Sequence, residues 1–214
     1  MALDKSANEI GKVFKGDIQI GKRYKGDIYL YSAAPDYLYQ NGKVDGEYLK
    51  TMTGSNSWND NGYGYGGSLE GKFLLNSDGA MYLSAGASSG YGNTYSCENK
   101  AESNYMDLSG ADSLTFTGYI TASGAYFYWQ WGYIDLIDAA GKEALLVSVA
   151  SSTVDSNPET LYETIDHKVT ISNLDIDLTQ VKLRLRYGYR HHAPWSNWYG
   201  GSGNMAISAI TVDS

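Results

Sequence analysis

The sequence predicts an all-β chain: a three-stranded β-meander over residues 1–34, then a two-sheet antiparallel β-sandwich of the jelly-roll kind over residues 35–214. Three observations predict it. Twenty Tyr and five Trp stand against 25 Gly and three Pro, as in short strands joined by tight turns, because aromatic side chains suit a pleated, half-buried surface and Gly supplies the turns. "VKLRLRYGYR" (181–190) puts Val181, Leu183, Leu185, Tyr187 and Tyr189 on one face and Lys182, Arg184, Arg186 and Arg190 on the other, the period of a strand with one wet side. The chain also opens on a tandem decapeptide, "GKVFKGDIQI" then "GKRYKGDIYL", identical at six of ten positions.

Taken in order, each decapeptide reads as strand, turn, strand, with Gly16 and Gly26 supplying the positive φ of a two-residue hairpin loop. The expected strands run from about residue 10 to 14, 17 to 24 and 27 to 32. So small a sheet is marginal in water alone and must lean on a neighbour. Further on, "SLTFTGYI" alternates Leu114, Phe116 and Ile120 across Gly118, "EALLVSVA" reads as a more buried strand, and "NMAISAITVDS" as a closing strand beside an early one. "AYFYWQWGYIDLID" carries aromatics on both faces: Phe127, Trp129, Trp131 and Tyr133 on one, Tyr126 and Tyr128 on the other. One face can fill a core; the other must meet a second layer, a partner or a ligand. Residues 53–68, 85–96, 151–163 and 189–204 read as turn-rich connections, with a hint of helical turn in "NPETLYE".

Charge narrows the partners. The net charge of −8 argues against nucleic acid, whose phosphates need Lys and Arg. Residues 1–31 hold six Lys/Arg and four Asp/Glu, whereas the remainder holds ten and twenty, a compositional boundary near Ser32. A single cysteine, Cys97, excludes an intrachain disulfide and fits synthesis in a reducing cytoplasm; it reads as a small buried hydrophobe. The opening residues show no apolar run behind a basic start, and no stretch is apolar enough to span a bilayer as a helix. No signal peptide and no membrane partner are therefore expected.

"IGKVFKGDIQIGKRYKGDIYLYSAAP" resembles the Tyr/Lys-Gly-Asp hairpin segments that open many minor structural proteins of tailed bacteriophages and prophages of Gram-positive gut bacteria. "YLYQNGKVDGEYLKTMTGSNSW" is similar to the strand-turn opening before a β-sandwich in the same proteins. The resemblance implies a virion component of a tail, baseplate or fibre, made in the host cytoplasm. Its N-terminal sheet would dock to other virion proteins through Phe14, Lys15, Tyr24 and Lys25. It also implies a homo-oligomer, a trimer by first guess. The alternative is that these strands form an ordinary edge of the sandwich. The overall layout resembles galactose-binding-like and carbohydrate-binding-module jelly rolls.

Catalytic templates are missing: there is no G-x-S-x-G, P-loop, H-E-x-x-H or C-x-x-C. Asp135, Asp138, Glu143 and Glu163 are the carboxylates a glycosidase could draw on, but sequence brings no pair together. His191 and His192 are adjacent and should point apart in an extended segment, which disfavours a metal pair. No cofactor is expected, with a structural Ca²⁺ left open. The sequence feature that points to a ligand is "RHHAPWSNWYGG", where Trp195, Trp198 and Tyr199 accompany Arg190, His192 and Asn197; Trp58, Tyr63 and Tyr65 offer a second set. Flat rings stack on the C–H face of a sugar while amide and guanidinium groups bond its hydroxyls. Two readings stand here, glycan contact on host-surface or mucus polysaccharide and the capping or oligomer contact that such residues also make. At the level of the chain, the expected function is a non-enzymatic virion protein that displays a carbohydrate-binding sandwich; the rivals are a purely structural capsid-decoration or tail protein and a carbohydrate-active enzyme.

Overall fold

The computed structural model describes residues 14–15, 18–19, 22–25, 28–32, 37–40, 43–44, 53–60, 73–75, 80–89, 94–124, 127–153, 159–192 and 199–213. All regular structure among them is β. In chain order the strands are β1 (Phe14–Lys15), β2 (Ile18–Gln19), β3 (Lys22–Lys25), β4 (Ile28–Ser32), β5 (Tyr37–Gln40), β6 (Lys43–Val44), β7 (Thr53–Asp60) and β8 (Phe73–Leu75). They continue as β9 (Met81–Ser89), β10 (Thr94–Glu102), β11 (Ser113–Gly124), β12 (Phe127–Asp138), β13 (Glu143–Thr153), β14 (Glu159–Thr170), β15 (Val181–His192) and β16 (Tyr199–Asp213).

Two antiparallel sheets make the sandwich. One is five-stranded, in the order β13-β12-β15-β10-β7; the other is seven-stranded, β14-β11-β16-β5-β6, with β9 also on β16 and β8 on β9. The expected closing strand is the 15-residue β16, which sits centrally and pairs with β11 and the earlier β5 and β9. Alternation decides what enters the core. The odd-numbered residues of β15 from Val181 to Tyr189 are buried, and they face Leu114, Phe116 and Ile120 of β11 and Met205, Ile207 and Ile210 of β16. Each such side chain is worth about 1.5–3 kcal/mol of transfer free energy, enough in sum for the sandwich to carry its own core.

Among the described residues the N-terminal repeat forms two hairpins, β1 with β2 and β3 with β4; the residues that would join them into the expected three-stranded meander lie outside the described part. Their end pairs, Lys15↔Ile18 and Lys25↔Ile28, each leave two residues between the strands. The pairing that is described is thus local in sequence. Phe14 and Lys15 lie on β1, Tyr24 and Lys25 on β3; their side chains fall outside the described part.

Three other expectations change. "EALLVSVA" is an edge strand, β13, with Leu145 56% exposed and only Val147 and Thr153 buried. A register shift between Ile134 and Asp135 leaves Leu146 as the extra residue on β13, which breaks the alternation that a plain reading assumes. Glu159–Glu163 of the supposed helical turn belong to β14, held by twelve register pairs with β11. Residues 53–60, read as part of a turn, form β7, because β10 offers an open edge and tertiary pairing overrides their weak strand propensity.

Candidate functional site

The outward face of the five-stranded sheet holds what the core does not. On β12, Tyr128, Gln130, Ile134 and Leu136 are buried, which leaves Trp129, Trp131, Tyr133 and Asp135 on the other side of the pleat. Three aromatic residues therefore stand in line along one strand, about 6.8 Å apart by strand geometry. Cross-strand register fixes their neighbours. Trp129 lies between Ser152 of β13 and Arg190 of β15, Trp131 between Ala150 and Gly188, and Tyr133 between Ser148 and Arg186. One strand further, Ser96, Glu98 and Lys100 of β10 pair with Arg190, Gly188 and Arg186.

These residues enclose an open groove of about 520 Å³, lined by Ser96, Trp129, Gln130, Trp131, Tyr133, Ala150, Ser151, Ser152 and Arg190. Its floor is Trp131. The indole lies across Gly188, where any Cβ would run into the ring, and Nε1–H donates to Oε2 of Glu98 at 2.8 Å. A backbone without a side chain and a carboxylate acceptor together hold the ring against the sheet. On either side a guanidinium covers the neighbouring ring: Arg190 over Trp129 at 5.2 Å and Arg186 over Tyr133 at 4.7 Å from the ring centres. Such cation–π contacts leave the guanidinium edge free to donate elsewhere.

Below Tyr133 the charges neutralise one another. Buried Asp135 accepts from Arg186 Nε at 2.8 Å and Nη2 at 3.1 Å, and from Arg184 Nε at 3.1 Å. Arg184 forks onto Glu143 at 2.9 and 2.6 Å. That bond holds the Glu143 carboxyl below its usual range and raises Arg184. Arg186 also comes within 4.0 Å of Glu98. Beneath the groove, in the core, Gln130 donates to Ser151 Oγ at 2.9 Å and accepts from the Tyr187 hydroxyl at 3.1 Å.

Of the residues the sequence singled out, Arg190 lines this groove and is exposed. His192 lies one step further along β15, with Nδ1 2.8 Å from Thr94 Oγ1, and His191 is buried on the opposite face. The two histidines therefore cannot share one ion. Tyr199 begins β16 and Trp58 lies in β7 opposite Cys97 in register; their side chains, and Tyr63, Tyr65, Trp195, Asn197 and Trp198 altogether, fall outside the described residues. Sequence reasoning flagged the double-sided aromatics of β12 without choosing the open face. The signal that could have chosen it was Gly188 in the middle of a strand, where a small residue marks close approach of another group.

The carboxylates weighed for hydrolysis are engaged or apart. Asp135 and Glu143 are tied to arginines as above. Asp138 accepts backbone N–H groups of Lys142, Asp177 and Ala140, which hold its carboxyl below the usual range. Glu163 is exposed on β14, in the other sheet. Cys97 is 1% exposed in the core, and burial pushes its thiol up to about 11. The outer face of the seven-stranded sheet has its own aromatic group, in which Tyr119 stacks on Tyr162 at 5.2 Å and shares a 2.8 Å hydroxyl contact with Tyr82.

No protein-family model matches the chain, and no curated protein does. Solved structures with a similar fold include a carbohydrate-binding module of the β-sandwich superfamily described for promiscuous specificity. It is 13% identical, with 87% of this chain and 66% of that one covered, just under two thirds of its length, at a TM-score of 0.33. The family 11 carbohydrate-binding module of Clostridium thermocellum, in complex with a β-1,3-1,4-mixed-linked tetrasaccharide, is 11% identical, with 79% and 93% covered and a TM-score of 0.33. The enzymatically active domain of tailspike protein 4 of bacteriophage CBA120 is 11% identical, with 83% and 21% covered and a TM-score of 0.29.

Proposed function

We propose that this chain binds carbohydrate, without cleaving it, in the groove floored by Trp131. The observation that carries the reading is the row Trp129, Trp131, Tyr133, outward on one strand and set among Ser96, Ser152 and Arg190. A pyranose has an apolar C–H face and a polar rim. An indole pinned flat takes the first, while serine hydroxyls and guanidinium edges take the second. A site on rigid strands pays little ordering cost on binding.

The particle role belongs to the same proposal. The N-terminal hairpins pair only within themselves among the described residues, which suits a segment that attaches the sandwich to a larger assembly such as a virion. Several copies there, three by the first guess, would turn weak glycan contacts into avidity.

The test is affinity gel electrophoresis across bacterial-wall and mucus polysaccharides. Retardation of the wild-type chain, loss of at least ten-fold in affinity on Trp131→Ala, and no change on Tyr162→Ala on the other sheet are expected. Release of reducing ends would replace the binding reading with an enzymatic one. Blank results on every glycan, with retention on assembled particles, would leave a structural protein.

A further inference from the structure

The outward face of β15 carries four cations, and their partners differ. Lys182 sits over the Tyr105 ring at 4.8 Å, and Arg184 and Arg186 are neutralised by Asp135 and Glu143. Arg190 is exposed, lines the groove, and makes no ion pair among the described residues. Its guanidinium rests on Trp129, and its register neighbours on this face are Trp129 and Ser96, neither of them a carboxylate. In a chain of net charge −8, a positive charge with no carboxylate partner among the described residues, beside an aromatic floor, is a selective feature, because the surrounding acidity would otherwise repel an anion.

Resting on the carbohydrate reading, we infer that the groove selects acidic glycans, with Arg190 donating to the carboxylate or sulfate of a sugar whose ring stacks on Trp131. The planar fork of arginine matches a two-oxygen anion, and stacking on Trp129 fixes its plane. The neutralised Arg186 at the other end of the row offers no equivalent charge, so the ligand has a direction: its anionic substituent lies toward Trp129 and its neutral part toward Tyr133.

The experiment measures binding of the full chain to polygalacturonate, alginate, heparin and dextran sulfate, each beside its carboxyl-reduced or desulfated twin, at low and high salt. At least one acidic polymer should bind about ten-fold more tightly than its neutral twin, as expected for a hydrogen bond to a charged group. Arg190→Gln should erase that preference, weakening the acidic polymer far more than its neutral twin, and salt should weaken only the acidic member of the pair. Whether the carboxylated or the sulfated polymers carry the preference identifies the anion. Equal binding of both twins, abolished by Trp131→Ala, would overturn the acidic selectivity and leave the carbohydrate reading standing. Binding of neither twin in any pair would overturn both.

Discussion

The indole of Trp131 occupies the space that a side chain at residue 188 would fill: a Cβ on Gly188 would fall within the ring. This contact, between the partnered positions of β12 and β15, makes the groove floor a property of the backbone. Gly188→Ala should lift the ring, break its bond to Glu98 and reduce glycan affinity by about ten-fold or more, in the range of aromatic interface losses, while the sandwich still folds. Tryptophan fluorescence shifted to the red in the variant, with an unchanged far-ultraviolet spectrum, would report the displaced indole.

Asp135 is 2% exposed and serves two arginines at once. Asp135→Asn should destabilise the fold by about 2 to 3 kcal/mol, less than a fully buried pair because the Arg186 side chain is 26% exposed. Glu143, whose side chain is 52% exposed, should cost under about 1 kcal/mol as Glu143→Gln. Urea denaturation of the two variants checks the order.

Tyr187 and Tyr189 point the same way from β15, yet their hydroxyls differ. That of Tyr187 donates to Gln130 Oε1 or the Thr121 carbonyl and fits a notch at Gly203; that of Tyr189 is buried with no hydrogen-bond partner among the described residues. The same substitution should therefore have opposite signs. Tyr187→Phe should cost about 1 kcal/mol, and Tyr189→Phe should be neutral or stabilising by up to about 1 kcal/mol, because an unmade buried bond is removed. Thermal melts of both variants decide it.

Burial also makes the fold sensitive to alkali. The Cys97 thiol is raised from 9.0 to about 11, chiefly by burial, and Tyr187 and Tyr189 are raised above their ordinary 10.0 for the same reason. Each group keeps its proton in the folded state while the unfolded chain loses it. Stability is then intact below pH 9 and falls as pH rises, by up to about 1.4 kcal/mol per pH unit for each group in its window. Denaturation midpoints from pH 8 to 11 should decline, with a shallower slope between 9 and 11 in Cys97→Ala.

Where alternation was strict, the fold could be read directly: β11 and β15 follow from which residues repeat at every second position. Where an edge or a bulge intervened, it could not. Leu145 and Leu146 look like core residues, but β13 borders solvent and Leu146 is the extra residue at a register shift. The groove was half legible. The aromatics of β12 were visible as a two-faced strand, but the choice of face depends on which neighbours pack beneath, and Gln130 and Tyr128 turn inward through bonds and stacking with Tyr187 and Tyr189 from β15. That pairing spans more than fifty residues of chain, beyond the reach of a local pattern. Arg190 belongs, on its sequence, to a loop rich in aromatics; it lies on a strand.

The most direct measurement is a titration of the ¹⁵N-labelled chain with a retained oligosaccharide, followed by amide and indole N–H shifts. The account predicts the largest changes at the Trp131 and Trp129 indoles and at the amides of β12 and β15 around Tyr133 and Arg190. Changes confined to the Tyr119 and Tyr162 face, or to residues 193–198 with both indoles unmoved, would contradict it.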